Sequence, residues 1–288
     1  MHGITGSTNF VFQSTSFIHA LRPFVKPDSI VREIWGTGDT VLFIFAGAAA
    51  EFALNRAVDW LYFTGKLPQD PLGRLFSTVG YARTIVFASE DRAHRAIDAM
   101  ADIHAAVEAK RGKAIPDWAY RDVLFMLIDY SIRAYEVLER PLTLDEKREV
   151  FEVFHRVGAR MGVRGLPANL PHWMHMRRHH LRENMLHSAY TADLFRQYRK
   201  HLGLPRYLML REGQKLVVPD AVRRMLGYSG RSLLRPVIGI YKLLRSIGIH
   251  HLMRDLILPG AYREEIKSLD HPPTGVDRGQ CPVATLKA

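Results

Sequence analysis

Residues 40–63, TVLFIFAGAAAEFALNRAVDWLYF, carry the reading that decides the fold. So little of this stretch is polar that its period is unclear, and Ala, Leu and Phe dominate it. Such a segment suits one central helix, from about Thr40 to Phe63, buried on most of its faces. Working outward, the next start is well marked. Asp70-Pro71 sets a capping Asp directly before a first-turn Pro. The helix that follows carries Leu75, Val79 and Phe87. Ser89 opens another, which runs to about Lys110 and closes at Gly112. Asp117 to Glu139 holds the core-like run Val123-Leu124-Phe125-Met126-Leu127-Ile128.

Further along, Thr143-Leu144-Asp145-Glu146 spells a capping box, with Thr at the N-cap and Glu at N3. Val150, Val153, Phe154, Val157 and Met161 follow at helical spacing, and Gly162 ends the run. Pro171 starts a long basic helix directed towards His201, with Gly203 past its end. Short helices are expected over Asp220–Leu226 and Ser232–Leu258, and a loose tail from Ser268. Strand signals are nearly absent: Leu216-Val217-Val218 is too short to found a sheet, and no repeat recurs at a fixed period. The expectation is an all-α, single-domain bundle of roughly eight to ten helices. Its parts are an N-terminal extension over 1–28, a helical domain over 29–267 and a flexible tail over 268–288.

Composition narrows the function. The 288 residues suffice for one large domain with a sizeable core, and a hydrophobic share of 47% argues against wholesale disorder. One cysteine, Cys281, excludes an intrachain disulfide framework, a Cys-ligated zinc site and an iron–sulfur cluster. A reducing, cytoplasmic setting is the expectation, since the N-terminus lacks a secretory pattern and the longest apolar run, Val41 to Ala50, falls well short of a spanning helix. From His172 to Asp255 there are 16 Lys and Arg against 5 Asp and Glu, so the whole net charge of +11 resides there. Such asymmetry suggests an anionic partner, lipid surface or nucleic acid; the plainer reading is a solvated basic face. Within it, Ser232 to Leu258 mixes Leu, Val and Ile with Arg235, Lys242, Arg245 and Arg254. That composition suits a helix lying on a membrane surface, or simply a last helix docked on the core.

Few residues offer chemistry. Arg74 and Thr78, four apart, project from one helix face beside Ser77. A cation and a hydroxyl directed into an apolar bundle suit a bound anion or oxygen species, or else an Arg paired with a helix end or a buried carboxylate. His104 sits in the apolar stretch Ala101-Asp102-Ile103-His104-Ala105-Ala106-Val107. It reads either as a satisfied core histidine or as a neutral imidazole ligating iron. A second group, His172, His175, His179 and His180, includes an i, i+4 pair able to grip a metal. It lacks the Glu of a zinc protease, and Arg177, Arg178 and Arg182 would repel a cation, so a solvated or interface face is expected. No P-loop, Gly-x-Gly-x-x-Gly or Gly-x-Ser-x-Gly motif occurs.

Several short motifs in order complete the picture: Arg32-Glu33-Ile34-Trp35-Gly36; Ala46-Gly47 in the long helix; Asp70-Pro71-x-x-Arg74-x-x-x-Thr78; Ile103-His104-x-x-Val107; Arg140-Pro141-Leu142-Thr143 before Glu146; and Met161-Gly162-Val163 followed by Leu166-Pro167. Over roughly Ser29 to Leu226 the chain thereby resembles the haem oxygenases that include latex-clearing protein (rubber oxygenase) and MpaB. The resemblance implies an all-helical fold enclosing b-type haem, with His104 as the proximal iron ligand and Arg74 and Thr78 on the distal, O2-binding side. It also implies an oxidoreductase that activates O2 to oxidise or cleave a hydrophobic, isoprenoid or lipid-like substrate.

Three departures stand out. Ala53-Leu54-Asn55-Arg56 replaces the His-Pro of many members, Ser77 stands where latex-clearing protein has a distal lysine, and Glu51 and Asp59 are the candidates for a distal base. Two other readings stand beside this one: a non-catalytic carrier of a hydrophobic ligand on the same fold, and a basic helical protein binding membrane or nucleic acid. The basic half has neither helix-turn-helix spacing nor an aromatic stacking platform, so no nucleic-acid partner is expected.

Overall fold

A computed structural model describes residues 22–63, 65 and 70–246, the side chains at 71, 72, 74, 75 and 243–246 excepted. The described residues form eleven α-helices, with only two isolated β-bridges and no strand. In chain order they are α1 (Ile30–Gly36), α2 (Gly38–Phe52), α3 (Val58–Phe63), α4 (Pro71–Phe87), α5 (Glu90–Arg111), α6 (Asp117–Leu138), α7 (Leu144–Arg160), α8 (Leu170–Glu183), α9 (Ala189–Val217), α10 (Asp220–Met225) and α11 (Leu234–Ser246). The fold is all-α, as its sequence indicates. The expected tail from Ser268, most of the N-terminal extension and the end of the Ser232–Leu258 helix lie outside the described residues.

Two expected long helices are each broken in two, which takes the number past the eight to ten read from periodicity. The Thr40–Phe63 helix ends at Phe52 and resumes at Val58, and the helix from Pro171 stops at Glu183 and resumes at Ala189. Both breaks occupy one place in space. Asn55 and Met185 form a β-bridge; Arg56 N–H donates to the Asn184 carbonyl (3.0 Å) and Leu186 N–H to the Leu54 carbonyl (2.6 Å). The Thr191 hydroxyl donates to the Ala53 carbonyl at 2.7 Å. Each break thus supplies backbone partners that the other's interrupted helix lacks, as buried polar backbone requires. The amides of Asn55 and Asn184 both donate to Asp122 Oδ2 of α6, at 2.9 and 3.0 Å, and His180 Nδ1 contacts Asp122 Oδ1.

The core centres on α2 against α6, with α1, α7, α8 and α9 packed around the pair. Gly47 lets the two axes approach: a Cβ there would lie 2.3 Å from two carbons of the Tyr130 ring. The capping box at Thr143 and Glu146 is formed at the head of α7. α9 turns sharply at Gly203, whose φ of 72° and ψ of 165° suit only glycine.

A buried ionic cluster crosses this core. Arg177 of α8 is 4% exposed, and its Nη1 and Nη2 donate to the Glu51 carboxylate of α2 at 2.5 and 2.6 Å. Its Nε and Nη2 also reach Asp129 Oδ2 of α6, at 3.1 and 3.0 Å, and the Tyr130 hydroxyl donates to Glu51 at 2.8 Å. Burial alone would push the guanidinium towards losing its proton; Glu51 and Asp129 outweigh it and raise its pKa. Arg177 therefore does not belong to a solvated basic face, the place its sequence neighbours suggest. His172, His175 and His179 are exposed as expected, whereas His180 faces inward. Glu51, weighed from the sequence as a base, is bound into this ion pair instead.

Candidate functional site at the open end of the α4–α5 hairpin

α4 and α5 form a hairpin turned at Ala88-Ser89. Residues 22–24 pin its apex: Phe24 N–H donates to the Ala88 carbonyl (3.0 Å) and Glu90 N–H to the Arg22 carbonyl (2.7 Å). Near this apex the arms are sealed, with Val79, Ala82, Ile85 and Val86 on α4 and Ala93, Ala96 and Ile97 on α5 all buried. Away from it the seal opens. Beyond Ile97 no residue of α5 is buried; Ile103 and Val107 are half-covered, and Ala105 and Ala106 are exposed.

Beyond the sealed part the two arms have different neighbours. On α4, Phe76 packs towards Leu194 and Tyr198 of α9 and Ala49 and Ala53 beside α2. On α5, Val107 packs with Trp60 of α3 and with Ile115, Trp118 and Ala119 at the start of α6. The end of α5 is clamped by Arg111, whose Nη2 donates to Asp59 Oδ2 at 2.7 Å and whose guanidinium lies 3.9 Å over the Trp60 ring. Asp59, the other sequence candidate for a base, is thus committed to an ion pair.

His104 stands on the opened part of α5, half-buried. Its Nδ1 lies 2.7 Å from the Met100 carbonyl oxygen. A carbonyl only accepts, so Nδ1 carries a proton, and in the neutral imidazole the lone pair is then on Nε2. A histidine that ligates iron needs this tautomer, fixed by this kind of partner. The Tyr120 ring packs against the imidazole at 5.3 Å between centroids, and its hydroxyl donates to Glu108 Oε1 at 3.1 Å. Glu108 also accepts from Ile115 N–H at 2.7 Å, which anchors this side of the ring to the α5–α6 connection. Burial, and then Glu108, raise the Tyr120 phenol's pKa, so it remains protonated.

On the facing arm, Asp70 caps α4 by accepting from Gly73 N–H at 2.8 Å. Arg74 lies in the first turn, its side chain outside the described residues, and Thr78 is exposed one turn on. At about 1.5 Å rise per residue, Arg74 and His104 both stand about 20 Å along their helices from the apex, so they share one level of the hairpin. A single His suffices to hold a haem, and among the described residues no three or more His, Cys, Asp or Glu side chains are grouped to hold a metal ion. The donor set fits the group. One imidazole with its Nδ1 on a carbonyl stands on a helix where Ile103 and Val107 are only half-covered, and Thr78 is exposed on the other arm.

A cavity of about 590 Å³ elsewhere is lined by Arg22, Lys26, Arg148, Glu152, Arg156 and Asn169 among others; it is polar and does not include His104. Tyr120 and Glu108 escaped sequence reasoning, although Glu108 falls four residues after His104 and so shares its helix face.

Residues 35–247, well over half of the chain, match the family model described as ER-bound oxygenase mpaB/B'/Rubber oxygenase, catalytic domain. No curated protein and no solved structure matches the chain. Among the described residues no helix is long and apolar enough to cross a membrane.

Proposed function

The chain belongs to the mpaB/rubber oxygenase catalytic-domain family, and from that premise we propose that it is a haem b-dependent oxygenase that activates O2 to oxidise or cleave a hydrophobic substrate of isoprenoid or lipid-like character. The observation that carries this reading is the Nδ1 contact of His104 with the Met100 carbonyl, on the half of α5 where apolar surface stands uncovered. His104 would hold the iron through Nε2. When bound, the haem supplies the redox chemistry by which O2 is activated.

The chain's own residues do the rest. The Met100 carbonyl and the Tyr120 ring fix the imidazole's tautomer and plane. Arg74 and Thr78 would be the donors that offset negative charge developing on O2. Ile103 and Val107, half-covered, would offer apolar contact to macrocycle and substrate. Neither Glu51 nor Asp59 is required as a base, since both carboxylates serve ion pairs.

Oxygen uptake by the haem-loaded full chain, measured with long isoprenoid alkenes and followed by carbonyl analysis of the products, tests this reading. Substrate-dependent uptake is expected, abolished in His104→Ala and reduced roughly 100-fold in Arg74→Ala. Uptake that ignores both substitutions, or none with any hydrophobic alkene, would overturn it.

A further inference from the structure

One surface serves no part of the oxygenase site. On the second half of α9, beyond the turn at Gly203, Leu204 and Leu208 are about half exposed and one turn apart. One more turn along the same face comes Glu212. Its carboxylate accepts the Leu233 N–H at 2.7 Å, and its carbonyl accepts from the Ser232 hydroxyl at 2.9 Å. Leu233 is 76% exposed, and it begins a second apolar row that continues through exposed Pro236 to Ile240, 57% exposed. Steps of three and four residues keep that row on one side of α11. The buried Tyr241, which donates to Asp39, docks the opposite part of the helix on the core. Two solvent-facing apolar rows therefore meet at Glu212 as one ridge.

Cations flank the ridge. Arg231 and Arg235 are exposed beside it, and Lys242, also exposed, donates to the Glu139 carbonyl at 3.0 Å. Over residues 199–242 there are ten Lys and Arg against two acids, Glu212 and Asp220, and Glu212 is paired with Lys215. Exposed single leucines need no explanation, but a continuous apolar ridge does. Two copies meeting through this face would oppose like charges, which disfavours self-association. An anionic bilayer surface satisfies both features: acyl chains take the apolar side chains while headgroups pair with the cations.

We propose that α11 and the second half of α9 form a docking surface for anionic lipid membranes, which would hold these helices in the interfacial plane. This surface stands independently of the haem reading.

Co-flotation of the full chain with phosphatidylcholine vesicles, with and without phosphatidylserine, decides the matter. Binding is expected only to the anionic vesicles and should weaken as salt rises. Arg231→Gln with Arg235→Gln should weaken it about 25-fold, at roughly fivefold per cation. Leu233→Ser with Ile240→Ser should weaken it at least about tenfold, as loss of buried apolar surface requires. Because all four side chains are exposed, circular dichroism should not change. Several results would overturn the assignment: no flotation, equal flotation with both vesicle types, flotation untouched by either pair of substitutions, or a dimer in solution that the Leu233/Ile240 pair abolishes. Binding to nucleic acid in place of vesicles would do so equally.

Discussion

At the scale of single residues, two side chains in apolar helices define the molecule, and they were legible to different degrees. His104 stands out in the sequence as an imidazole among Ile, Ala and Val, yet spacing alone leaves it between core residue and iron ligand. The Met100 carbonyl adds a partner for Nδ1, which the proposed iron ligation through Nε2 requires. Arg177 misleads in the opposite sense. Its neighbours Arg178 and His179 are exposed, and only position relative to Trp173 and His180, four before and three after, places it on the inward face. A clue existed: Glu51 and Asp129 sit in apolar stretches, and buried carboxylates need a cation. Breaking such a pair leaves charges stranded, so Arg177→Ala should destabilise by about 3–5 kcal/mol in urea unfolding. Combining Arg177→Met with Glu51→Gln and Asp129→Asn should recover most of that loss. A loss below about 1 kcal/mol for Arg177→Ala, within the range of ordinary surface pairs, would mean that the cluster is not dry.

Helix boundaries at the scale of elements divide according to what sets them. Local signals were readable: the Asp70 cap, the Thr143–Glu146 box and the Gly112 stop all stand where the sequence puts them. The breaks at Asn55 and Asn184 were not, because each exists only in the presence of the other and of Asp122 on a third helix. Hydrogen bonds from the Arg140 guanidinium hold the Glu146 carboxyl down at about 2, against the opposing effect of burial, with Thr143 assisting. A depressed carboxylate stabilises the fold fully above its unfolded value, near 4.5, and that contribution disappears as pH falls towards about 2. Glu146→Gln should therefore flatten the acid limb of stability within that window and leave the slope above pH 5 unaltered; an identical limb in both proteins would refute the linkage. At the turn in α9, Gly203→Ala would force an L-residue into a region reserved for glycine. A loss of roughly 1–3 kcal/mol is expected by thermal or urea unfolding, and a neutral result would indicate that the turn relaxes.

For the molecule as a whole, the arrangement is a hairpin sealed at its apex, whose far ends join different clusters, one reaching α9 and the other α3 and α6. The α4 and α5 helices are legible as patterns, but this division is not, since it depends on Phe76 and Val107 choosing different neighbours. The motif series from Arg32 to Pro167 conveyed the family, and the family match over residues 35–247 agrees with it. In the proposed function, what joins fold to chemistry is one imidazole at the far end of that hairpin. The most direct measurement is the optical spectrum of the purified full chain, oxidised and reduced, after titration with haemin and beside His104→Ala of matched helicity. A Soret band saturating at one haem per chain, lost in the variant, is predicted; a wild-type protein without a Soret band, or a variant that retains it unchanged, would contradict iron ligation by His104.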